Sequence, residues 1–261
     1  TIILWDTARN GITRILKGHT APVIAVDFHP AGSMIASGSK DKSVILWDVR
    51  SGRPLSTMKG HTGNVWTVAF DPGGTLLASA GNDGRIIIWD VANSNQVVSF
   101  PAHTGSVNMI RFSPQEKILA SAGDDGNVIL WNIKTGKALK TMKDHESWVK
   151  SVGFSPDGKI LASGGMDQLI ILWEVKSGKK IRTLTGHRSG IFSIAFHPDG
   201  RSFFSASPDQ VIIEWDVRTG EKKREWYNPY GYILGIDVSP DGTMIAAATE
   251  NKAVVLFGDK K

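Results

Sequence analysis

The chain has 261 residues, no cysteine and a formal net charge of +5. This length can bury a sizeable core, in one all-β domain or in two ordinary domains, and the lack of cysteine excludes disulfides and thiolate chemistry. The basic residues are scattered, so we expect no nucleic-acid binding. No apolar run reaches about 18 residues and no basic leader precedes an apolar segment, so we expect neither a membrane span nor a signal peptide. These features fit a reducing compartment, and we expect a cytoplasmic location.

The predicted elements are all short β-strands. The chain opens on TIILWD and ITRILK, which are the last two strands of a half repeat. Five sets of four strands follow, such as VWTVAF, LLASAG and RIIIWD with a fourth strand after NSN, and three strands close the chain at AVVLF. Turn sequences such as FDPGG and GNDG separate them. The sequence therefore predicts 25 strands and no helix.

A spacing of 42 residues governs the sequence. The tryptophans at this spacing are Trp5, Trp47, Trp89, Trp131, Trp173 and Trp215. The histidines are His19, His61, His103, His145 and His187. The serines are Ser37, Ser79, Ser121, Ser163 and Ser205, and the aspartates are Asp41, Asp83, Asp125, Asp167 and Asp209. A four-stranded unit repeated at this interval is the signature of a propeller blade, so we expect one domain over residues 1–261.

Ser, His and Asp together suggest hydrolysis, but their repetition argues against it. A hydrolase needs one nucleophile with one base, not five evenly spaced copies. The last repeat loses all four positions together, as Pro229, Ala247, Asn251 and Phe257. Such joint loss is expected of one hydrogen-bonded unit, because a network with a missing member leaves polar groups unsatisfied.

The chain resembles the WD40 repeat family over essentially its whole length. The resemblance rests on Gly-His pairs such as Gly60-His61 and on Trp-Asp pairs such as Trp89-Asp90. Departures are Ala102 and Asp144 before the histidine, and Asn132 and Glu174 after the tryptophan. The resemblance implies an all-β WD40 β-propeller of four-stranded antiparallel blades, in which His, Ser, Asp and Trp of each of the five repeats form a buried tetrad.

The number of blades is open at this point. Six 42-residue repeats plus an N-terminal half repeat exceed a closed six-bladed ring and fall short of a seven-bladed one. In the family an N-terminal fourth strand completes the last blade, and ITRILK could do so beside AVVLF, but TIILWD is then surplus. We favour a seven-bladed ring, or its covered part, and keep a closed six-bladed ring as the alternative.

A candidate binding surface lies at the start of each first strand. The pattern V-x-x-V-x-F breaks strict alternation and predicts a bulge that turns side chains towards the channel rim. Residues of these columns, together with those before each tetrad aspartate, gather at one end of the blades, which we call the top face. Its candidate residues are Trp66, Trp148, Lys150, Phe192, Tyr232, Met166 and Asp124. Exposed aromatics with Met and a few charges are typical of protein-binding sites, although they could instead pack against neighbouring loops.

Other chemistry is sparse. His29 and His197 lie in His-Pro turns, and no histidine pair has metal-ligand spacing, so we expect no metal and no cofactor. No small-molecule substrate is expected either. Asp27, Arg111 and Asp237 share a channel-lining position and would be the basis of a channel enzyme, the least favoured hypothesis.

The favoured hypothesis is a non-enzymatic interaction scaffold that recognises a peptide or protein on the top face. The alternative is the sensor or regulatory WD40 portion of a larger signalling protein, which the surplus TIILWD suggests.

Overall fold

The computed structural model describes residues 1–7, 9 and 11–258, and this part of the chain contains 25 β-strands. In chain order they are Ile2–Asp6 (β1), Gly11–Leu16 (β2), Val23–Phe28 (β3), Met34–Ser39 (β4), Ser43–Asp48 (β5), Pro54–Lys59 (β6), Val65–Phe70 (β7), Leu76–Gly81 (β8), Arg85–Asp90 (β9), Gln96–Pro101 (β10), Val107–Phe112 (β11), Ile118–Gly123 (β12), Val128–Asn132 (β13), Ala138–Met142 (β14), Val149–Phe154 (β15), Ile160–Gly165 (β16), Ile170–Glu174 (β17), Lys180–Leu184 (β18), Ser193–Phe196 (β19), Ser202–Ala206 (β20), Val211–Asp216 (β21), Lys222–Tyr227 (β22), Ile233–Val238 (β23), Met244–Thr249 (β24) and Val254–Gly258 (β25).

The strands form radial antiparallel sheets, and the predicted β-propeller is confirmed. The first five blades each have four strands, β3–β6, β7–β10, β11–β14, β15–β18 and β19–β22, and the sixth has three, β23–β25. The first strand of each blade packs against the first strand of the next, in the order β3, β7, β11, β15, β19, β23. First strands therefore line the axis, and fourth strands lie outside.

Six blades are present, as in the six-bladed alternative. The N-terminal half repeat forms a separate two-stranded sheet in which β2 pairs with β1. This sheet packs on the first blade, where Ile2 and Leu16 join the buried cluster of Ile35, Ile45 and Trp47. The described residues form no complete seventh blade.

The core consists of apolar layers between adjacent blades, not of one central cluster. The layer between the second and third blades, for example, joins Ile86 and Ile88 to Leu119 and Trp131. Equivalent layers occupy each of the other interfaces between successive blades. Each blade is covered by its neighbours, because a single sheet cannot cover its own faces.

Each of the first five blades contains a complete hydrogen-bonded tetrad. In the third blade, Trp131 Nε1 donates to Ser121 Oγ at 2.8 Å, and His103 Nε2 lies 2.6 Å from the same oxygen. His103 Nδ1 lies 2.8 Å from Asp125 Oδ1. The tetrad joins the loop before the first strand, the second strand, the turn after it and the third strand.

The other four tetrads have the same bonds at closely similar distances. They are His19–Ser37–Asp41–Trp47, His61–Ser79–Asp83–Trp89, His145–Ser163–Asp167–Trp173 and His187–Ser205–Asp209–Trp215. The serines are fully buried, and the histidine side chains are at most 1% exposed. These groups are satisfied and inaccessible, which fits a structural role and not hydrolysis.

The tetrad carboxylates are held in their ionised form. Burial opposes ionisation of Asp83, but hydrogen bonds from His61 and from the backbone of Thr62 and Arg85 outweigh it and lower the Asp83 pKa to about 2. The pKa values of Asp125, Asp167 and Asp209 are lowered in the same way, and that of Asp41 is lowered by hydrogen bonds first from Ser43 and then from His19.

We predict that Ser121→Ala lowers the free energy of unfolding by about 1–3 kcal/mol, because it leaves the Trp131 N–H and the His103 Nε2 buried without a partner. Urea unfolding measures this difference. The matched control is Ala247→Ser in the sixth blade. Because Pro229 and Phe257 offer neither an imidazole nor an indole to the new hydroxyl, we expect no increase in the free energy of unfolding. A Ser121→Ala protein within a few tenths of a kcal/mol of the wild type would contradict a structural role for the tetrad.

We also predict that Asp83 makes the free energy of unfolding depend on pH. Its folded pKa of about 2 lies below the roughly 3.9 of an unfolded aspartate. The contribution is therefore fully present above about pH 4 and is lost as the pH falls towards 2. Between these values the unfolding free energy of Asp83→Asn should fall less steeply than that of the wild type. If the free energies of unfolding of the two proteins fall in parallel over this pH range, Asp83 gives no such stabilisation.

Candidate functional site

The top face is formed by the loops that enter each first strand and by the turns that leave each second strand. The predicted bulges are present at five of the six first strands. In β7 the pairing register shifts between Val65 and Thr67, so Trp66 faces no partner residue. The same shift falls at Ile24, Asn108, Lys150 and Leu234. The bulge therefore places a variable side chain at the same point of successive blades.

A polar cluster with an exposed indole joins the third and fourth blades on this face. Lys150 Nζ donates to Asp124 Oδ1 at 3.1 Å and to Asn108 Oδ1 at 3.2 Å. The same ammonium lies 4.6 Å from the centroid of the Trp148 ring, within cation–π range. Lys150 therefore contacts Asp124, Asn108 and the Trp148 ring at the same time.

Asn108 was not among the predicted site residues, although it is central to this cluster. Its Nδ2 donates to Asp124 Oδ1 and to the Val149 carbonyl, both at 2.8 Å. One feature of the sequence could have identified it. Asn108 has the same repeat position as Trp66 and Lys150, and Lys150 on the next blade needs a hydrogen-bond acceptor. Sequence spacing showed that these residues share a column but not that neighbouring members of the column hydrogen-bond to each other.

Asp124 and Lys150 form an ion pair. Burial disfavours the Asp124 carboxylate, but hydrogen bonds from Asn108 and Lys150 and the charge of Lys150 outweigh it and lower the Asp124 pKa. The two side chains are 24% and 21% exposed. The pair compensates its own charge, and the most accessible part of the cluster is the Trp148 indole, which is 51% exposed.

Met166 lies beside Trp148. Its backbone N–H donates to the Trp148 carbonyl at 2.8 Å, and its sulfur packs against Gly190 so closely that a Cβ there would lie 2.6 Å from Sδ. The structure thus brings four of the seven predicted residues together: Trp148, Lys150, Asp124 and Met166.

The other three predicted residues lie at matching repeat positions on other blades. Trp66 and Phe192 are half-buried, and Tyr232 is 46% exposed. Among the residues that the structure describes, no hydrogen bond or ring contact joins any of these three to the Trp148 cluster. They extend the top face around the axis but are not part of that cluster.

The three channel residues, Asp27, Arg111 and Asp237, each bond to backbone groups. Asp27 accepts a hydrogen bond from the Phe70 N–H at 2.7 Å, and Arg111 donates to the carbonyl of Ile110. Burial raises the Asp27 pKa and Asp237 adds to this, while Arg111 and the Phe70 N–H oppose it. In the described part of the chain, Arg111 contacts neither carboxylate at ion-pair distance.

The two turn histidines link blades at the opposite end. His29 Nε2 lies 3.0 Å from the Gly74 carbonyl, and His197 Nε2 lies 3.2 Å from that of Gly242. Both are turn residues, as predicted, and both also bond across to the next blade. Residues 1–7, 9 and 11–258 contain no group of three or more His, Asp or Glu that could hold a metal ion, and no helix long and apolar enough to cross a membrane.

Comparison with known families agrees with this geometry. The family described as the echinoderm microtubule-associated protein second beta-propeller matches residues 65–228, more than half of the chain. The WD domain, G-beta repeat family matches residues 11–48. No curated protein matches the chain. The chain belongs to the WD40-repeat β-propellers, a class of domains that generally bind proteins or peptides and are typically not enzymes.

We predict that Asp27→Asn raises the free energy of unfolding at pH 7, because the amide keeps an acceptor for the Phe70 N–H and removes a half-buried charge. The Asp27 pKa is higher in the folded state, so the cost of its charge appears as the pH rises above about 3.9. The increase in the free energy of unfolding of Asp27→Asn over the wild type should therefore shrink as the pH falls towards 4.

Asp237→Asn is the control for this prediction, since Asp237 holds the same repeat position on an exposed site. Denaturant unfolding at several pH values measures both variants. An Asp27→Asn protein that is less stable than the wild type at pH 7 would show that the half-buried charge of Asp27 carries no net cost.

Proposed function

We propose that the chain is a non-enzymatic protein-interaction scaffold that recognises a peptide or protein on its top face. The observation that carries this proposal is Trp148, a half-exposed indole held against Lys150 and beside Met166. Exposed tryptophans are strongly over-represented among the residues that dominate binding energy at interfaces. The family match supports the general role, because WD40 propellers are typically protein-binding domains.

The arrangement around Trp148 suits recognition because it is formed in advance. Lys150 is fixed by Asp124 and Asn108. A partner that covers the indole therefore loses little side-chain freedom on the propeller's side of the interface. The ion pair leaves the surface close to neutral at this point, so we propose that an apolar or aromatic partner side chain contacts the indole.

The competing interpretation is that the top-face aromatics only pack against loops. Trp66 and Phe192, both half-buried, fit that interpretation in part. Trp148 and Tyr232 do not, because about half of each side chain is uncovered. We therefore propose Trp148 as the principal contact, with Lys150, Asp124 and Met166 around it and with Trp66, Phe192 and Tyr232 on the other blades.

A second candidate is that the chain acts as the regulatory propeller of a larger, cytoplasmic signalling protein. The observation that favours it is the matched family, whose description names a second propeller and hence a domain among others. The two candidates share the top-face site and differ in what else the polypeptide carries.

We predict that partners captured from a lysate of the source organism by the wild-type chain are lost when Trp66, Trp148 and Phe192 are all replaced by alanine. Trp148→Ala alone should weaken binding at least about thirtyfold, since truncation of a dominant interface residue costs about 2 kcal/mol or more. Calorimetry or surface plasmon resonance with the captured partner measures the change in Kd.

Leu139→Ala is the matched control. Leu139 is also 51% exposed, but it lies on the outer strand β14. Circular dichroism confirms that each variant is folded. A partner that binds the triple variant as tightly as the wild type would place the site elsewhere on the propeller.

A further inference from the structure

A groove with a volume of about 560 Å³ lies between the first and second blades, at the end of the propeller opposite the top face. Apolar side chains form much of its wall. Met34, Leu46 and Leu55 come from the first blade, and Val91 and Ala92 come from the second. The groove is therefore separate from the top-face site.

Two short side chains on facing walls of the groove depart from the repeat. Ser56 on the fourth strand β6 and Ala92 in the turn after the third strand β9 both line it. The position of Ser56 is held on the other fourth strands by Arg14, Val98, Lys140, Arg182 and Arg224, and that of Ala92 in the other turns by Arg50, Lys134, Lys176 and Arg218. Longer side chains would thus cover the groove at this interface.

The turn that carries Ala92 also contains a serine where its equivalents have glycine. Those glycines are Gly52, Gly136, Gly178 and Gly220. They pack closely on the preceding fourth strand, since a Cβ on Gly178 would lie 2.8 Å from Lys140 Cδ. Ser94 has a Cβ and keeps a left-handed φ of 55°, which is unfavourable for a residue other than glycine. A serine cannot approach β6 as closely as glycine would, so the groove stays open.

The charges around the groove are acidic. Asp90 lines it, and Asp71 accepts from the hydroxyl of Thr75, which also lines it, at 3.4 Å. The position of Asp71 holds histidine or serine in the other blades: His29, Ser113, Ser155, His197 and Ser239. Residues 91–95 include no lysine or arginine, whereas each of the four equivalent turns has at least one. Two carboxylates therefore flank an apolar groove without a basic residue in its turn.

We propose that this groove binds a segment of a protein partner in which one large apolar side chain lies next to a basic residue. The apolar side chain enters between Met34, Leu46 and Leu55, where it is removed from water. The basic group lies towards Asp71 and Asp90, whose charge complements its own. This site is additional to the top face, so the domain can hold two partners, or two parts of one partner, at its opposite ends.

The same place between the fifth and sixth blades has a different character. There Glu214 takes the position of Leu46 and Lys223 takes that of Leu55, and Lys223 Nζ lies 2.8 Å from Glu214 Oε1. Both residues line a smaller groove of about 250 Å³. The repeat alone therefore does not create an apolar site, and we expect the proposed segment to bind only between the first and second blades.

The test uses short synthetic peptides with a central Arg-Phe-Arg, Glu-Phe-Glu or Arg-Ala-Arg between identical Gly-Ser flanks. The readout is the methyl signals of ¹³C-labelled methionines in the full chain, because Met34 lines the groove and Met166 lies on the top face. The matched variant is Ser56→Arg with Ala92→Lys. It gives this interface the side chains that other blades carry at the same positions, so it should fold.

We expect the Arg-Phe-Arg peptide to shift the Met34 signal, and the other two peptides to bind at least about fivefold more weakly, since each lacks one of the two recognised groups. In the Ser56→Arg, Ala92→Lys variant the Arg-Phe-Arg peptide should leave Met34 unshifted. No shift in the wild type, or an equal shift in the variant, would overturn the proposal.

Two further outcomes would replace the proposed occupant by another one and so also overturn the proposal. A Met34 signal that moves when the chain alone is diluted would show that a second copy fills the groove. A Met34 signal that benzene shifts and none of the peptides shifts would show a site for small apolar molecules. The Met166 signal reports the top face in the same spectra, so failure at one site is distinguishable from failure at the other.

Discussion

The structure depends on a hydrogen-bonded serine in the second strand of each of the first five blades. In the third blade, Ser121 Oγ accepts from the Trp131 indole and contacts His103, whose other nitrogen lies against Asp125. This one oxygen ties the third strand to the second and ties both to the loop that enters the blade. Because the group is buried, its bonds are made in a low-dielectric setting where an unmade bond would be costly.

The tetrads leave the top face free to vary. Each one fixes the loop before a first strand and the turn after a second strand, and those are the segments that build this face. The residue next to a tetrad member can then change without loss of the frame, as with Asp124 beside Asp125. In the sixth blade, which lacks the tetrad, Asn251 Nδ2 donates to the Tyr230 carbonyl at 2.9 Å, and Phe257 is half-buried at the edge of its apolar layer.

Much of this architecture could be predicted from the sequence, because a pattern that is ambiguous in one repeat becomes clear when the same positions are compared in all the repeats. Five copies of the same spacing identified the strands, the turns and the tetrads, and the broken alternation at residues such as Val65 and Val68 identified the bulges. Contacts between different repeats were harder to predict. The bonds from Asn108 to Asp124 and Val149, and that from His29 to Gly74, depend on how neighbouring blades sit against each other. The pairing of β2 with β1 was likewise not evident, since the same residues could serve as the last strand of another blade.

We propose that Trp148 and its cluster, and not the tetrads, are the part of the molecule that binds a partner. The most direct measurement is a proton–nitrogen correlation spectrum of the indole N–H groups of all nine tryptophans, recorded with and without a captured partner. We expect the Trp148 signal to shift or broaden, and we expect the signals of the tetrad tryptophans to stay in place: Trp47, Trp89, Trp131, Trp173 and Trp215. A spectrum in which the Trp148 signal is unchanged and another indole responds would contradict it.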